Sequence, residues 1–278
     1  MKRLVVQTRL NFSSRLAFGG GLNSFRGATA QPRAIAMITE ENFIDFRCPY
    51  CGEPVSFPQA NAKSLQACPS CMEALLVPET TSEAGRKIPI PITTARLILR
   101  RLRAGDWKDL LELDSEGLSL PVVHRGNVDE QAIVQWLERD SSVKLTTPEE
   151  PYYLGIEIQD GGKLIGLTQL DFTDIGRLQA WINIQVSPSY QRNGVATEAT
   201  LALLDFCFND LALHRVKAWC DSRDVAALGL CEKVGMRCEG ESLKDRLINS
   251  EWVNTVWYAR LDEDHRETNS GHPPESAA

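Results

Sequence analysis

The spacing of apolar residues divides the latter two thirds of the chain into strands with a repeat of two and helices with a repeat near 3.6. Residues 95–102 alternate well enough for a strand, and Asp106 opens a short helix carrying Trp107, Leu110, Leu111 and Leu113. A second helix is predicted over 129–139, with Ile133, Trp136 and Leu137 on one face. Residues 152–158 and 164–172 are strand-like runs on either side of Gln159-Asp160-Gly161-Gly162-Lys163, whose glycines permit a tight reversal. A strand over 181–186 leads through a loop at 189–193 into a helix over 194–208, with Ala199, Leu203, Leu204 and Cys207 at helical spacing. A strand at 216–220, a helix at 224–234 stopped by Gly235, and strands at 237–247 and 252–261 complete the pattern. Strands and helices interleaved in this way predict an α/β (α+β) domain.

The 278 residues are enough for about two domains. Ahead of the α/β block, 79–91 is polar with turn residues and contains Pro89 and Pro91, which predicts a linker. The polar tail, 263–278, is expected to be disordered. Residues 1–36 hold six basic residues and no Asp or Glu, and Leu4-Val5-Val6 is too short for the apolar block of a secretory signal. This basic leader suits either an organellar targeting segment or an unfolded extension ahead of Met37.

From Met37 onward the balance is 24 basic against 37 acidic residues, which disfavours a nucleic-acid surface. The sequence lacks a run of the roughly 18 uninterrupted apolar residues a membrane span needs. With 43% hydrophobic and 24% charged residues, the composition is that of an ordinary soluble protein, and a cytoplasmic location is expected.

Four of the eight cysteines fall in 37–78 as Cys48-Pro49-Tyr50-Cys51 and Cys68-Pro69-Ser70-Cys71, with 16 residues between the pairs. Each C-x2-C turn can present two thiolates to one ion, and two turns complete the tetrahedral shell of Zn²⁺. Two disulfides would need an oxidising compartment that nothing here indicates. A redox pair would need a βαβ context that is missing around Cys48. Residues 44–78 thus resemble the zinc-ribbon family, with a structural ion, because four thiolates leave no open coordination position. Arg47 and Lys63 against Asp45, Glu53 and Glu73 make a poor phosphate surface, so a docking site for a protein partner or a purely architectural role is expected.

The most informative block joins the strand at 181–186 to the helix at 194–208. In Gln191-x-x-Gly194-x-Ala196, small residues stand where backbone can approach a ligand, and the helix start offers unpaired N–H groups to an anion. It is neither a Walker loop nor the dinucleotide Gly-x-Gly-x-x-Gly, and an ordinary helix start would present the same residues.

Several motifs in order carry a wider likeness: Thr93-Thr94-Ala95-Arg96-Leu97, Gln191 to Ala196, Asp224-x-x-x-Leu228, Glu232-Lys233-Val234-Gly235-Met236, Trp252-x-Asn254 and Tyr258-Ala259-Arg260-Leu261. Residues 92–262 thereby resemble the GNAT superfamily of N-acetyltransferases, and within it the ribosomal-protein alanine N-acetyltransferase-like branch. The resemblance implies a mixed sheet flanked by helices and splayed between 181–186 and 216–220, with acetyl-CoA lodged in the gap. It places cofactor contacts at Val186, Gln191, Arg192, Asn193, Gly194, Val195, Ala196, Thr197 and Asp224. The expected activity is acetyl transfer from acetyl-CoA to a primary amine, either a protein N-terminus or a small amine. The alternatives are a CoA-binding, weakly catalytic adaptor that docks through its ribbon, and a nucleic-acid protein with a degenerate enzyme domain.

The catalytic pattern departs from that family. Where many members place a glutamate base, this chain has Trp181, and a tyrosine or serine acid is replaced at the matching positions by Cys231 and Ala227. Alternation puts Trp181, Asn183 and Gln185 on one face, so Asn183 is expected to hold a water that relays the amine's proton. Asp171 is the nearest carboxylate able to replace the glutamate, and Cys231 is a candidate acid for the departing thiolate. Against these stand ordinary structural roles: side-chain pairing for Asn183, a turn for Asp171 and core burial for Cys231.

Overall fold

The computed structural model describes residues 42–270 apart from 82, 122–127, 148, 174–177 and 249, so the basic leader and residues 271–278 lie outside the described residues. Two small sheets come first. Strands β1 (Phe43–Arg47) and β2 (Pro54–Pro58) form an antiparallel hairpin that turns Ile44, Phe46, Val55 and Phe57 inward by simple alternation. Strands β3 (Leu65–Ala67), β4 (Ala74–Leu76) and β5 (Arg86–Lys87) make the second sheet.

The presence of β5 corrects the linker expected over 79–91. Arg86 and Lys87 pair with Leu76 and Leu75, and Ile88 is buried, its N–H donating to Tyr50 Oη at 2.9 Å. Leu65, Ala74 and Ile88 join the main hydrophobic core. Proline-rich composition hid this, because the isolated apolar residue Ile88 gains burial only from a tertiary neighbour.

A single large sheet follows. Its strands are β6 (Ile92–Thr93), β7 (Leu97–Arg100), β8 (Tyr152–Ile158), β9 (Leu164–Phe172), β10 (Gln179–Val186), β11 (Arg215–Asp221), β12 (Arg237–Ile248) and β13 (Glu251–Leu261), in the order β12-β13-β11-β10-β9-β8-β7-β6. Among the described residues only the β10–β11 pair of this sheet is parallel. Helices α1 (Trp107–Ser115) and α2 (Glu130–Ser142) build one core with Tyr153, Leu164 and Leu167, while α3 (Val195–Asp205) and α4 (Val225–Lys233) build the other. Asp129 caps α2 by accepting from Ala132 N at 2.8 Å. Beneath the first strands, buried Arg100 reaches both Asp106 oxygens at 2.8 and 2.9 Å and Glu157 at 2.5 Å, so its charge is fully paired.

The expected disordered tail also needs correction. A last helix, α5 (Asp262–Ser270), follows β13 directly and buries His265 against Phe208, with ring centroids 4.9 Å apart. Among its described side chains the buried one is a histidine, so composition alone reads as a solvated tail. Three acidic residues in its first turn suit the helix dipole.

The sheet opens at its one parallel junction. Strand β10 pairs with β9 from Ala180 to Val186, but meets β11 only at Gln179–Arg215, Ala180–Val216 and Trp181–Lys217. Beyond Trp181 the two strands separate, giving the splayed, mixed sheet that the motifs imply.

Candidate active site

The split exposes the backbone edge of β10. Ser187 N donates to Ile165 O at 2.8 Å, so one residue earlier the Val186 N–H faces the opposite way, into the gap. The Val186 carbonyl on that edge accepts from Gln191 Nε2 at 2.8 Å. After a turn at Pro188–Tyr190, positive φ at Arg192 (63°) and Gly194 (77°) swings the chain into α3. Bonding within α3 begins with Glu198 N to Gly194 O at 3.0 Å, leaving the N–H groups of Val195, Ala196 and Thr197 without helical acceptors.

A cleft of about 550 Å³ runs along this edge. Val186, Gln191, Arg192, Gly194, Ala196 and Thr197 line one wall, and Asp224, Ala227, Leu230 and Lys233 line the other. Two residues expected as contacts do not line it with their side chains. Val195 is buried in the main core, and the Asn193 carbonyl accepts from Arg96 Nη1 at 3.0 Å. Asp224 lines the cleft while capping α4 through Ala227 N at 3.0 Å.

Two carboxylates that motif reading missed hold this loop. Glu198 accepts from Thr94 Oγ1 at 2.6 Å, Arg96 Nε at 2.7 Å and Arg96 N at 3.0 Å. Burial pushes its carboxyl up, but these hydrogen bonds from Thr94 and Arg96 outweigh it and hold the group below the usual range. Glu116, following α1, accepts from Ser187 Oγ and, at 3.3 Å, from Ser189 Oγ. A Glu one turn into a helix carries no mark of its partners, since they arrive from 102 to 104 residues away.

A second cavity of about 360 Å³ opens on the α1–α2 side of the split, walled by Tyr153, Gln169, Asn183, Gln185 and Trp219 with the 119–121 segment. Asn183 is exposed there and, with Trp219, also lines a small hollow at the base of the split. Gln185 is committed elsewhere: its amide accepts from Ser119 N at 3.0 Å and donates to Ser119 O at 3.2 Å. Asp171 is half-buried inside β9 rather than in a turn, and it accepts from Gln169 Nε2 at 2.6 Å without lining the cavity. Burial raises its pKa against that hydrogen bond. Trp181 packs on Trp257 at 5.5 Å and beneath Lys217 at 4.7 Å.

Cys231 lies in the wall of the small hollow, buried, with its sulfur 3.7 Å from that of Cys220. The hydrogen bond to Cys220 and burial both push its thiol up, so it keeps its proton.

An opened parallel junction, a helix start aimed along it and a second cavity meeting it from the far side agree with a family comparison. Residues 96–237, just over half of the chain, match the acetyltransferase (GNAT) domain. The chain belongs to the GNAT acetyltransferase family. It is 28% identical over 176 residues to the uncharacterized N-acetyltransferase YnaD of Bacillus subtilis, covering 62% of this chain and 98% of that one. It is 27% identical over 141 residues to a spermidine N(1)-acetyltransferase of Escherichia coli, covering 44% and 76%. A solved GNAT-family acetyltransferase from Bacillus anthracis superposes with a TM-score of 0.53 at 25% identity, covering 62% of this chain and 98% of that structure.

The cysteine unit of the acetyltransferase lies ahead of the matched span. Cys48 and Cys71 sulfurs stand 3.8 Å apart, as do those of Cys51 and Cys68, and all four ligand atoms lie within 4.8 Å of one another. A tetrahedron with Zn–S bonds of about 2.3 Å has edges of about 3.8 Å, the separation of these two sulfur pairs, so the cluster suits such an ion. The two knuckles share one backbone pattern. Gly52 N donates to Cys48 O and Met72 N to Cys68 O, both at 2.9 Å, and Cys48 N and Cys68 N reach Glu53 O and Glu73 O, also at 2.9 Å. Cys-Pro-Tyr-Cys-Gly-Glu and Cys-Pro-Ser-Cys-Met-Glu are thus a short repeat that the cysteine spacing alone conceals.

Among the described residues of the acetyltransferase, no helix is long and apolar enough to cross a membrane.

Proposed function

We propose that the acetyltransferase is acetyl-CoA-dependent and acetylates a primary amine, a protein N-terminus or a small amine, in the cytoplasm. The observation that carries this reading is the bare β10 edge, where the Val186 N–H faces a cleft that continues into the free N–H groups of α3. Acetyl-CoA supplies the activated acetyl group when bound. The α3 N–H groups, with Arg192 and Lys233 nearby, would hold its pyrophosphate, and the Val186 N–H would donate to charge growing on the thioester oxygen. Asn183, exposed between the two cavities, would orient a water that takes the amine's proton. Asp171 fixes Gln169 rather than acting on the amine itself.

Four cysteines at tetrahedral spacing would hold one structural Zn²⁺, which suits a reducing compartment. A second reading, a CoA-binding adaptor with weak catalysis, is favoured by one observation: none of the described residues lining the acceptor cavity is acidic.

The test uses the full chain. CoA should raise its melting temperature by mass action, and Gly194→Glu should remove the effect, since a bulky anionic side chain opposes the pyrophosphate. Turnover on an amine panel separates enzyme from adaptor. Unchanged CoA affinity in Gly194→Glu by calorimetry would show that the phosphate site lies elsewhere.

A further inference from the structure

Resting on the acetyl-transfer reading above, we propose that the acceptor is an amine bearing its own anionic group, a carboxylate or phosphate, and that Arg246 selects it. Strands β12 and β13 form an antiparallel hairpin with an irregular register. Ser242 pairs with Thr255 and Arg246 with Val253, so β12 holds two more residues than β13 across that interval. Lys244, inside this bulge, has φ 47°. Asn254 staples it by accepting from Lys244 N at 2.9 Å and donating to Glu241 Oε1 at 2.8 Å. Bulges redirect side chains, and this one lays Arg246 across the outer face of the sheet.

There the Arg246 guanidinium stacks on Trp219, 3.5 Å from the ring centroid, and lies 6.0 Å from that of Trp257. Trp219 is one wall of the acceptor cavity and, with Asn183, the residue that joins that cavity to the base of the split. A guanidinium that stacks by its face keeps its in-plane N–H donors available to a partner. Among the described residues no carboxylate or carbonyl accepts from them.

Acids on the adjoining strands are engaged, and Asp245, next to Arg246 in the chain, makes no ion pair with it. Asp221 and Glu251 pair with Arg223 at 2.7 and 2.6 Å, Glu241 is held by Asn254, and Asp171 by Gln169. The described cavity lining is aromatic, amide, hydroxyl or aliphatic, with no carboxylate to receive a second ammonium group. A polyamine would therefore meet an unpaired guanidinium beside Trp219. An amino acid or an amino-sugar phosphate would give those donors a bidentate partner while its amine faces Asn183.

The experiment compares kcat/KM for matched pairs: an amino acid against its amide, an amino-sugar phosphate against the free amino sugar, and spermidine. In the wild-type enzyme one acid form should exceed its neutral partner by about tenfold or more, the effect of a charge-assisted hydrogen bond. Which pair shows the preference identifies carboxylate or phosphate. In Arg246→Gln that ratio should collapse toward one, while Arg246→Lys retains part of it, with melting temperatures reported for both. Spermidine as the best substrate, or an acid-to-neutral ratio that survives Arg246→Gln, overturns the proposal. So does acetyl-CoA binding by calorimetry without turnover of any amine. Absence of acetyl-CoA binding overturns the parent reading instead, and the proposal with it.

Discussion

Arg96, just ahead of β7, and Glu198, in the first turn of α3, meet at 2.7 Å, and the same guanidinium reaches the carbonyl of Asn193 at 3.0 Å. One ion pair thus ties the early strands to the loop that begins α3. Glu198→Gln should lower CoA affinity several-fold by calorimetry with little loss of fold, since a partly exposed pair contributes only about 1 kcal/mol. The pH dependence has a definite sign. The folded-state carboxyl lies below its ordinary value of 4.5, so the clamp's contribution is complete above that value and fades as pH falls through the lower folded value. The melting-temperature gap between wild type and Glu198→Gln should be full at neutral pH and close in acid.

Zinc removal should reach beyond the cysteine unit. Leu65, Ala74 and Ile88 belong to the main core, Lys144 pairs with Glu73, and Arg86 donates to the Asn209 carbonyl. Metal analysis should give about one zinc per chain, and chelation should lower the melting temperature of the whole chain, because ion binding carries the folding energy of so small a unit. Two well-separated thermal transitions, the second unchanged by chelator, would rule out this coupling.

Cys231→Ala should lower turnover less than about tenfold, whereas a positioned general acid contributes about 100-fold or more. The thiol is buried, bonded to Cys220 and held protonated, and a CoA-like thiolate leaves readily without help. The kcat profile should show no limb lost in this variant. A fall of 100-fold with folding and CoA affinity intact would make Cys231 the acid.

Asn183→Ala should cost more turnover than Cys231→Ala, because Asn183 lines the cavity proposed to take the amine. Asp171→Asn should leave the shape of the pH–rate profile unchanged, since Asp171 is turned to Gln169. A lost acid limb in that variant would restore the carboxylate as base.

Gly166→Ala tests the strand that carries the site. A Cβ there would stand 2.3 Å from the Gln185 carbonyl oxygen, a backbone atom that cannot rotate away. The expected loss is about 1–3 kcal/mol of stability, read from denaturant unfolding, as for other forced overpacking.

Local pattern determined much of this protein. Strands at 152–158 and 164–172 appear at those limits, Asp129 and Asp224 cap helices, and each C-x2-C forms its own tight turn, because each rests on neighbours a few residues away. The entry into α3 was legible for the same reason: glycine and small residues before a helix have a meaning independent of the rest of the fold. Tertiary structure alone decided where β10 leaves β11, that Glu198 and Glu116 brace the loop, that residues 86–88 dock rather than link, and that Arg246 lies over Trp219. In each case the partners are brought together by chain closure over tens of residues or more. Side-chain identity sets what such a contact is worth, and only the folded backbone sets which contacts exist.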